Sequence, residues 1–382
     1  MNSSLRSALE RILPLTLAAV LGCGPSDGKK ELDEGLAALA AHDSVKAVKA
    51  LEKSLAARGD NIDALVAMAQ AKLALGELPA AGEAVAAAAA LEPEATDVVH
   101  LQAQLAYYAK DYAAASAAYG KLAGDKGLSP DLRAEGWTGL GIIAFTQNDP
   151  DVAHAAFLTA LRFERRCASA YYHLGLLYRN SFGLSDAALE QFEKFAYLGD
   201  AGDVLVRKVQ RVVLPEIKDS ITHAAKSRLG ASRRDVAACS ALLAKAEAAL
   251  RKGGAKAAKN AVDLYQQALR ADALSYPAAL GLAKTWPKAD SGKTGQTRAL
   301  ECYKLACAIK PSAVQTLLAA GQLAAQLGLH VQAADIYLHA VAADGTNISA
   351  IDGLIRALQR TGKRKAAKAY QDYRDLLSQK KN

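Results

Sequence analysis

The segment AEGWTGLGIIAFTQNDPDVAHAAFLTALRF (residues 134–163) decides the fold, because it holds one complete copy of the pattern that organises the chain. In its second half Ala153, Phe157 and Ala160 follow one another at intervals of four and three residues, so they share one helix face. In its first half Gly141 stands twelve residues before Ala153, where a small residue lets two helices approach closely. The segment therefore predicts two helices packed against each other and joined by a tight turn.

The same pattern recurs along most of the chain. Its leading alanine returns at intervals of 34, 34, 38 and 35 residues, and after a gap at intervals of 38, 34 and 33 residues. A copy of this size buries its apolar face only by stacking on its neighbours, so the pattern predicts a helical array. The leading positions are Ala47, Ala81, Ala115, Ala153, Ala188, Ala261, Ala299, Ala333 and Ala366.

This 34-residue period resembles the tetratricopeptide repeat family, whose unit is two antiparallel helices. The resemblance covers residues 31–199 and 240–382, and Pro93 and Pro311 occupy the family's terminal proline position. It implies an all-α fold, an α-α superhelical solenoid of about nine tetratricopeptide-like helix pairs in two blocks. In the fourth copy the family's positions are filled by Trp137, Leu140, Gly141, Ala144, Ala153, Phe157 and Ala160.

The repeats also predict the domain boundaries. Residues 31–199 form an N-terminal block of five units, and residues 240–382 form a C-terminal block of four units. Residues 200–239 are apolar and helical in pattern but lack the repeat positions, so they are either an irregular helical joint or a degenerate unit. Residues 287–298 (PKADSGKTGQTR) are rich in turn-forming residues and predict an exposed loop.

The N-terminus has the pattern of an export signal. Arg6 and Arg11 precede an apolar run over residues 12–21, which is shorter than the roughly 20 residues that span a bilayer. The string VLGC at residues 20–23 resembles the lipobox of bacterial lipoproteins, which implies a signal peptide at 1–22, lipidation of Cys23 and a tether at 23–30. An ordinary cysteine in a signal cleaved elsewhere is the alternative. Gly24 after the cysteine implies the outer membrane, facing the periplasm.

Charge is distributed unevenly along the chain. The formal net charge is +8, but residues 1–200 hold 18 Lys and Arg against 25 Asp and Glu, while residues 201–382 hold 29 against 14. The basic second half is either a solvated surface or an attractive surface for an anionic polymer or nucleic acid. Export makes nucleic acid the weaker ligand.

No catalytic, metal or cofactor site is readable from the residues. The seven His show no metal-ligand spacing, and Cys167, Cys239, Cys302 and Cys307 form no CxxC pair, so we expect small apolar packing residues, with a disulfide left open. Gly292-Lys293-Thr294 lacks the first glycine and the strand of a phosphate-binding loop. We therefore expect a chain that is not an enzyme and uses no cofactor.

The resemblance implies a binding groove on the first helix of each unit. The sequence thus predicts an outer-membrane lipoprotein that acts as a scaffold or adaptor for protein or peptide partners in envelope assembly, held to the membrane by the lipid on Cys23. Its alternative is a binder of an anionic polymer. The expected groove residues are His100, Gln104, Tyr107, Thr138, Ile142, Phe145, Tyr172, Leu176 and Arg179.

Overall fold

The computed structural model describes residues 28–229 and 234–379, and throughout these two ranges the regular structure is helical, with no strand. This confirms the predicted all-α helical solenoid, and nine helix pairs are present in the described ranges. The predicted signal peptide at 1–22 and the lipidation site Cys23 lie outside the described residues. Helix α1 begins at Lys29, so the last two residues of the predicted tether are helical.

The first five pairs follow one another without interruption. The pairs are α1 (Lys29–Ala40) with α2 (Ser44–Ala57), α3 (Ile62–Leu75) with α4 (Leu78–Leu91), α5 (Thr96–Tyr108) with α6 (Tyr112–Gly124), α7 (Pro130–Thr146) with α8 (Pro150–Phe163), and α9 (Ala168–Leu177) with α10 (Ser185–Leu198). A π-helical turn at Tyr178–Phe182 extends α9. Because the turns within pairs are short, the two helices of a pair run antiparallel.

The later helices begin with an irregular stretch. Helix α11 (Val204–Lys208) continues through a π-helical turn (Val209–Val213) into α12 (Leu214–Leu229). Four further pairs follow: α13 (Val236–Arg251) with α14 (Gly254–Ala271), α15 (Tyr276–Ala289) with α16 (Lys293–Ile309), α17 (Val314–Gln326) with α18 (His330–Ala343), and α19 (Ile348–Arg360) with α20 (Arg364–Ser378).

Packing divides the chain into two compact units. Within the described residues, unit 1 comprises residues 28–173 and Phe195–Arg207, and unit 2 comprises Leu174–Lys194, residues 208–229 and residues 234–379. The predicted block boundaries at residues 199 and 240 stay a prediction. None of the helices in the described ranges combines the length and the apolar character that crossing a membrane requires.

Polar side chains fix where many of the helices begin. The Ala114 N–H donates to Asp111 Oδ1 at 2.9 Å, and the Ala238 N–H donates to Asp235 Oδ1 at 2.8 Å. A carboxylate at this position satisfies a backbone donor that the helix itself cannot pair. The local sequence thus marks where these helices begin.

The repeat positions form the core of both units. All nine leading alanines are buried, and the large residues four positions later are buried in eight copies, with Tyr303 half-buried. The packing explains why residue 141, twelve residues before Ala153, is a glycine: a Cβ on Gly141 would overlap the Phe157 ring. In unit 2 a Cβ on Gly321 would lie 2.9 Å from the Tyr337 ring. Each small residue therefore makes room for the large residue of its own pair.

The predicted loop at residues 287–298 is wrong. Helix α15 continues through Pro287 to Ala289, and α16 begins at Lys293, so only residues 290–292 connect them. Asp290 Oδ1 accepts the Gly292 N–H at 2.9 Å, and the guanidinium of Arg298 lies 4.6 Å from the centre of the Trp286 ring. Packing of the lengthened helices overrides the turn propensity of the segment.

A left-handed residue stands just before the second helix of several pairs. Lys110 has φ 64° there, and Gly76 has φ 79° at the same place in the preceding pair. This conformation costs a non-glycine residue about 1–2 kcal/mol. We expect Lys110→Gly to raise the free energy of unfolding by about 1 kcal/mol and Gly76→Ala to lower it by about 1 kcal/mol. Urea denaturation followed by circular dichroism measures both changes. If both variants changed the free energy of unfolding in the same direction, the left-handed conformation at these two positions would be contradicted.

Candidate functional site

Unit 1 encloses a cavity of about 870 Å³. Its wall is formed by the first helices of several pairs together with the chain around residues 198–205. Part of the wall is apolar, and the rings of Tyr172 and Phe195 pack there with their centroids 5.1 Å apart. A cavity of this volume is in the range that holds a small molecule or several side chains of a peptide.

The wall of this cavity is rich in carboxylates. It holds six Asp and Glu residues against one Arg, Arg166. Several of the carboxylates are engaged by the backbone: the Lys46 N–H donates to Asp43 at 3.0 Å and the Leu205 N–H donates to Asp203. The six acidic residues are Asp43, Asp131, Glu135, Glu164, Asp200 and Asp203.

Glu135 on α7 differs from the other five, because its carboxyl group is buried and its Oε2 has no hydrogen-bond partner in residues 28–229 and 234–379. His100 Nδ1 lies 3.6 Å from this oxygen, which is beyond hydrogen-bonding distance. Burial raises the pKa of Glu135 to about 9, and the negative charges of Asp131 and Asp97 contribute to the rise. Glu135 therefore holds a proton at neutral pH.

His100 cannot form an ion pair with this carboxyl group. Burial lowers the pKa of His100 to about 4, so its ring is neutral at pH 7. Its Nε2 lies 3.1 Å from Gln104 Nε2, and its ring packs edge-on against Tyr119 with the centroids 5.9 Å apart. The short separation from Glu135 therefore reflects two neutral groups packed side by side.

Three aspartates occupy the same place in successive first helices. Asp63, Asp97 and Asp131 stand in the first turns of α3, α5 and α7, 34 residues apart. Burial raises the pKa of Asp97, and the charge of Asp63 raises it further, so the carboxylates act on one another. Carboxylates at helix N-termini also stabilise the helix dipoles.

Replacing the buried carboxyl tests its protonation. Folded Glu135 keeps its proton up to about pH 9, whereas the unfolded chain loses it near pH 4.5, so its contribution to stability falls as pH rises between these values. Between pH 5 and pH 8 the stability of the unsubstituted chain should fall, whereas that of Glu135→Gln should not respond to this proton. We therefore expect the difference in free energy of unfolding between the two to change by roughly 2–4 kcal/mol in favour of Glu135→Gln over this range. Glu83→Gln, an exposed site, is the matched control. A pH-independent difference between Glu135→Gln and the parent chain contradicts the buried proton.

His173 is a second buried polar group of unit 1. Neither ring nitrogen has a hydrogen-bond partner within the part of the chain that the structure describes. The ring stacks on Phe157 with the centroids 5.6 Å apart, and burial lowers the pKa of His173 to about 4. The unfolded chain binds a proton near pH 6.5 and the folded chain does not, so this residue weakens the fold as pH falls towards 4. We expect the free energy of unfolding of His173→Phe, compared with that of the unsubstituted chain, to be about 2 kcal/mol more favourable at pH 5 than at pH 8, as measured by urea denaturation. An equal effect at both pH values would rule out this source of acid sensitivity.

The structure separates the predicted groove residues. Gln104 and Tyr172 line the cavity, and Thr138 and Ile142 are buried among the helices of unit 1. The Thr138 hydroxyl donates to the Ala134 carbonyl at 2.8 Å, so it is directed at its own helix. His100 is buried beside Gln104, and the Tyr107 hydroxyl lies 3.1 Å from the Thr146 hydroxyl. Phe145 and Leu176 are half-buried, and Arg179 forms an ion pair with Glu216 at 3.0 Å.

Sequence reasoning missed Glu135 and Ser169, which line the cavity and carry buried oxygen atoms without a partner. A signal was present: Glu135 stands three residues before Thr138 and seven before Ile142, so it shares the helix face on which the groove residues of α7 are predicted. A carboxyl at such a position is rare in a packed helix and marks a candidate site.

The described cysteines carry free thiols. Cys239 is buried, and Cys167, Cys302 and Cys307 are half-buried. Burial raises the pKa of Cys302 and of Cys307 to about 11, which disfavours the reactive thiolate. Within residues 28–229 and 234–379, no cluster of three or more His, Cys, Asp and Glu side chains is placed to hold a metal ion.

Several solved structures are similar to part of this chain. No protein-family model and no curated protein sequence matches it. The thermophilic tetratricopeptide repeat protein TTC0263 of Thermus thermophilus is 20% identical, with 49% of this chain and 99% of that one covered and a TM-score of 0.43. Pseudomonas aeruginosa PilF is 21% identical, with 53% and 91% covered and a TM-score of 0.40. MamA of Desulfovibrio magneticus RS-1 is 16% identical, with 46% and 97% covered and a TM-score of 0.36.

Proposed function

We propose that this chain is a non-enzymatic scaffold that binds a peptide segment of a partner protein in the cavity of unit 1. The observation that carries the proposal is the cavity itself, which combines an apolar wall with carboxylates and unpartnered polar atoms. An apolar wall stabilises a bound peptide through burial, and a few polar groups fix its register. No bond is made or broken in this function.

Selection from a random peptide library displayed on phage tests the proposal. We expect the full chain to enrich a family of peptides whose affinity falls about tenfold or more when Gln70, which lines the cavity, is replaced by Arg. Gln102→Arg is the matched control, since Gln102 is exposed on α5 and outside the cavity. Failure to enrich any peptide, or equal losses for the two variants, would refute binding in this cavity.

We further propose that the chain is anchored by a lipid on Cys23 at the periplasmic face of the outer membrane and takes part in envelope assembly. The lipobox-like string at residues 20–23 supports this proposal. Metabolic labelling with a palmitate analogue should mark the unsubstituted chain and leave Cys23→Ala unmarked. Equal labelling of the two chains would refute the lipid anchor on Cys23 and would leave the peptide-binding proposal unaffected.

Binding of an anionic polymer is the second candidate function, and one feature of unit 2 favours it. Arg251, Lys252, Lys256 and Lys259 are exposed around the turn between α13 and α14. Heparin is a suitable probe, because charge-driven binding weakens steeply as salt displaces the released counterions. Heparin affinity that does not change between 50 and 200 mM salt, about the range over which such contacts weaken strongly, would exclude this function.

A further inference from the structure

The charge of the cavity wall indicates the chemistry of its occupant. Six acidic residues and one arginine line the cavity, and Asp63 and Asp97 in the first turns of α3 and α5 continue the acidic character along the array. Complementary charge selects partners and suppresses wrong ones at such surfaces. A peptide that fits this wall therefore carries positive charge.

Glu135 supplies the independent observation that a specific ligand atom is required. The residue is only 8% exposed, it lines the cavity, and its Oε2 has no partner among the described residues. The Ser169 hydroxyl, on the same wall, is buried without a partner as well. Buried polar atoms normally find hydrogen-bond partners, and exceptions are costly, so both atoms, which lack a partner among the described residues, can accept a hydrogen bond from a bound ligand.

We propose, building on the peptide-binding function, that the cavity recognises a lysine or arginine side chain of the bound peptide, whose cation donates hydrogen bonds to the Glu135 carboxylate. A lysine ammonium offers three donors and an arginine guanidinium five, and neither accepts a hydrogen bond. Their apolar stems pack on the aromatic wall at Tyr172 and Phe195. Charge-assisted hydrogen bonds of this kind are among the strongest that proteins form.

Binding of the cation changes the protonation of Glu135. Burial and its acidic neighbours raise the pKa of Glu135 to about 9, so the empty cavity holds a neutral carboxyl at pH 7. An incoming cation favours the carboxylate, and the proton leaves to solvent, one for each peptide bound. The titratable groups that face or act on Glu135 are His100 and Asp97 from α5, Tyr119 from α6, Asp131 from its own helix and Cys167 before α9.

Binding of four peptide mixtures to the full chain tests the proposal. Each mixture consists of nonapeptides with blocked ends and random neutral residues, and the central residue is fixed as Lys, Arg, Glu or norleucine. We expect the Lys or Arg mixture to bind about tenfold or more tightly than the Glu and norleucine mixtures. Glu135→Gln should abolish this preference, and Glu83→Gln, which makes the same substitution at an exposed site, should retain it. A preference for Glu or norleucine, or a preference that survives Glu135→Gln, overturns the proposal.

Proton release supplies a measurement that needs no variant. Calorimetry of the Lys or Arg mixture in phosphate and in Tris at pH 7 should show about one proton released per peptide, because the buffers differ in ionisation heat. Zero release overturns the role of Glu135 even if a basic peptide binds. The two proposals can fail separately. If neutral peptides bind the cavity as tightly as basic ones, only the recognition of a basic side chain is refuted. If no mixture binds, the peptide-binding function is refuted as well.

Discussion

Replacing Gly136 by alanine is expected to lower the free energy of unfolding of unit 1 by about 3 kcal/mol. A Cβ at this position would lie 2.6 Å from the Ala123 backbone nitrogen and 2.9 Å from the Tyr119 carbonyl oxygen. Backbone atoms cannot rotate away as a side chain does, so α6 and α7 must separate along their contact. The measurement is urea denaturation followed by Trp137 fluorescence, with Trp286→Phe as background so that the signal reports unit 1.

Gly82 provides the matched control for this substitution. It stands in α4, and a Cβ there would meet nothing within 4 Å. Alanine is the better helix former by about 1 kcal/mol, so Gly82→Ala should raise stability by about that amount. Opposite signs for the two glycines are the expected result. A loss at Gly82 as large as that at Gly136 would mean that the helix contact is not the cause.

Phe157→Ala is expected to destabilise unit 1 by about 3–5 kcal/mol. The ring is fully buried in the pair that contains residues 134–163, where it faces Gly141 on one side and stacks on the His173 ring on another. Removing it leaves a cavity between two helices whose close approach depends on that ring. The same urea experiment measures the loss.

Tyr197→Ala is the aromatic control for this loss. Tyr197 lies in unit 1 and is 87% exposed, so its truncation should change stability by less than about 0.5 kcal/mol. If Phe157→Ala cost no more than Tyr197→Ala, the repeat position would not be part of the core.

Much of the fold could be predicted from the sequence because the array uses one local rule nine times. Each leading alanine and the large residue four positions later define the face by which a second helix packs, and in three copies a glycine twelve residues earlier, Gly35, Gly141 or Gly321, makes room for that large residue. Such information is local, since each pair packs mainly on its neighbours. The segment 287–298 shows the limit: its turn-forming residues predicted a loop, yet tertiary packing keeps most of them helical.

The candidate site depends on packing between successive pairs, which spacing along one helix does not define. Counting along the first helices selected Gln104 and Tyr172, which line the cavity, and also Thr138 and Ile142, which the neighbouring helices bury. The predicted groove itself stays a prediction. Which side of a helix stays open depends on how successive pairs stack. The environment of Glu135 depends on α5 and α7 together, so spacing along α7 alone does not define it.

The central claim is that the cavity of unit 1 is where a peptide binds, and site-directed photo-crosslinking tests it most directly. A benzophenone amino acid would replace Tyr108, which lines the cavity, or Tyr197, which is exposed outside it. With a peptide selected on the unsubstituted chain, crosslinking is expected at position 108 and not at position 197. Crosslinking at position 197 with none at position 108 would contradict peptide binding in the cavity.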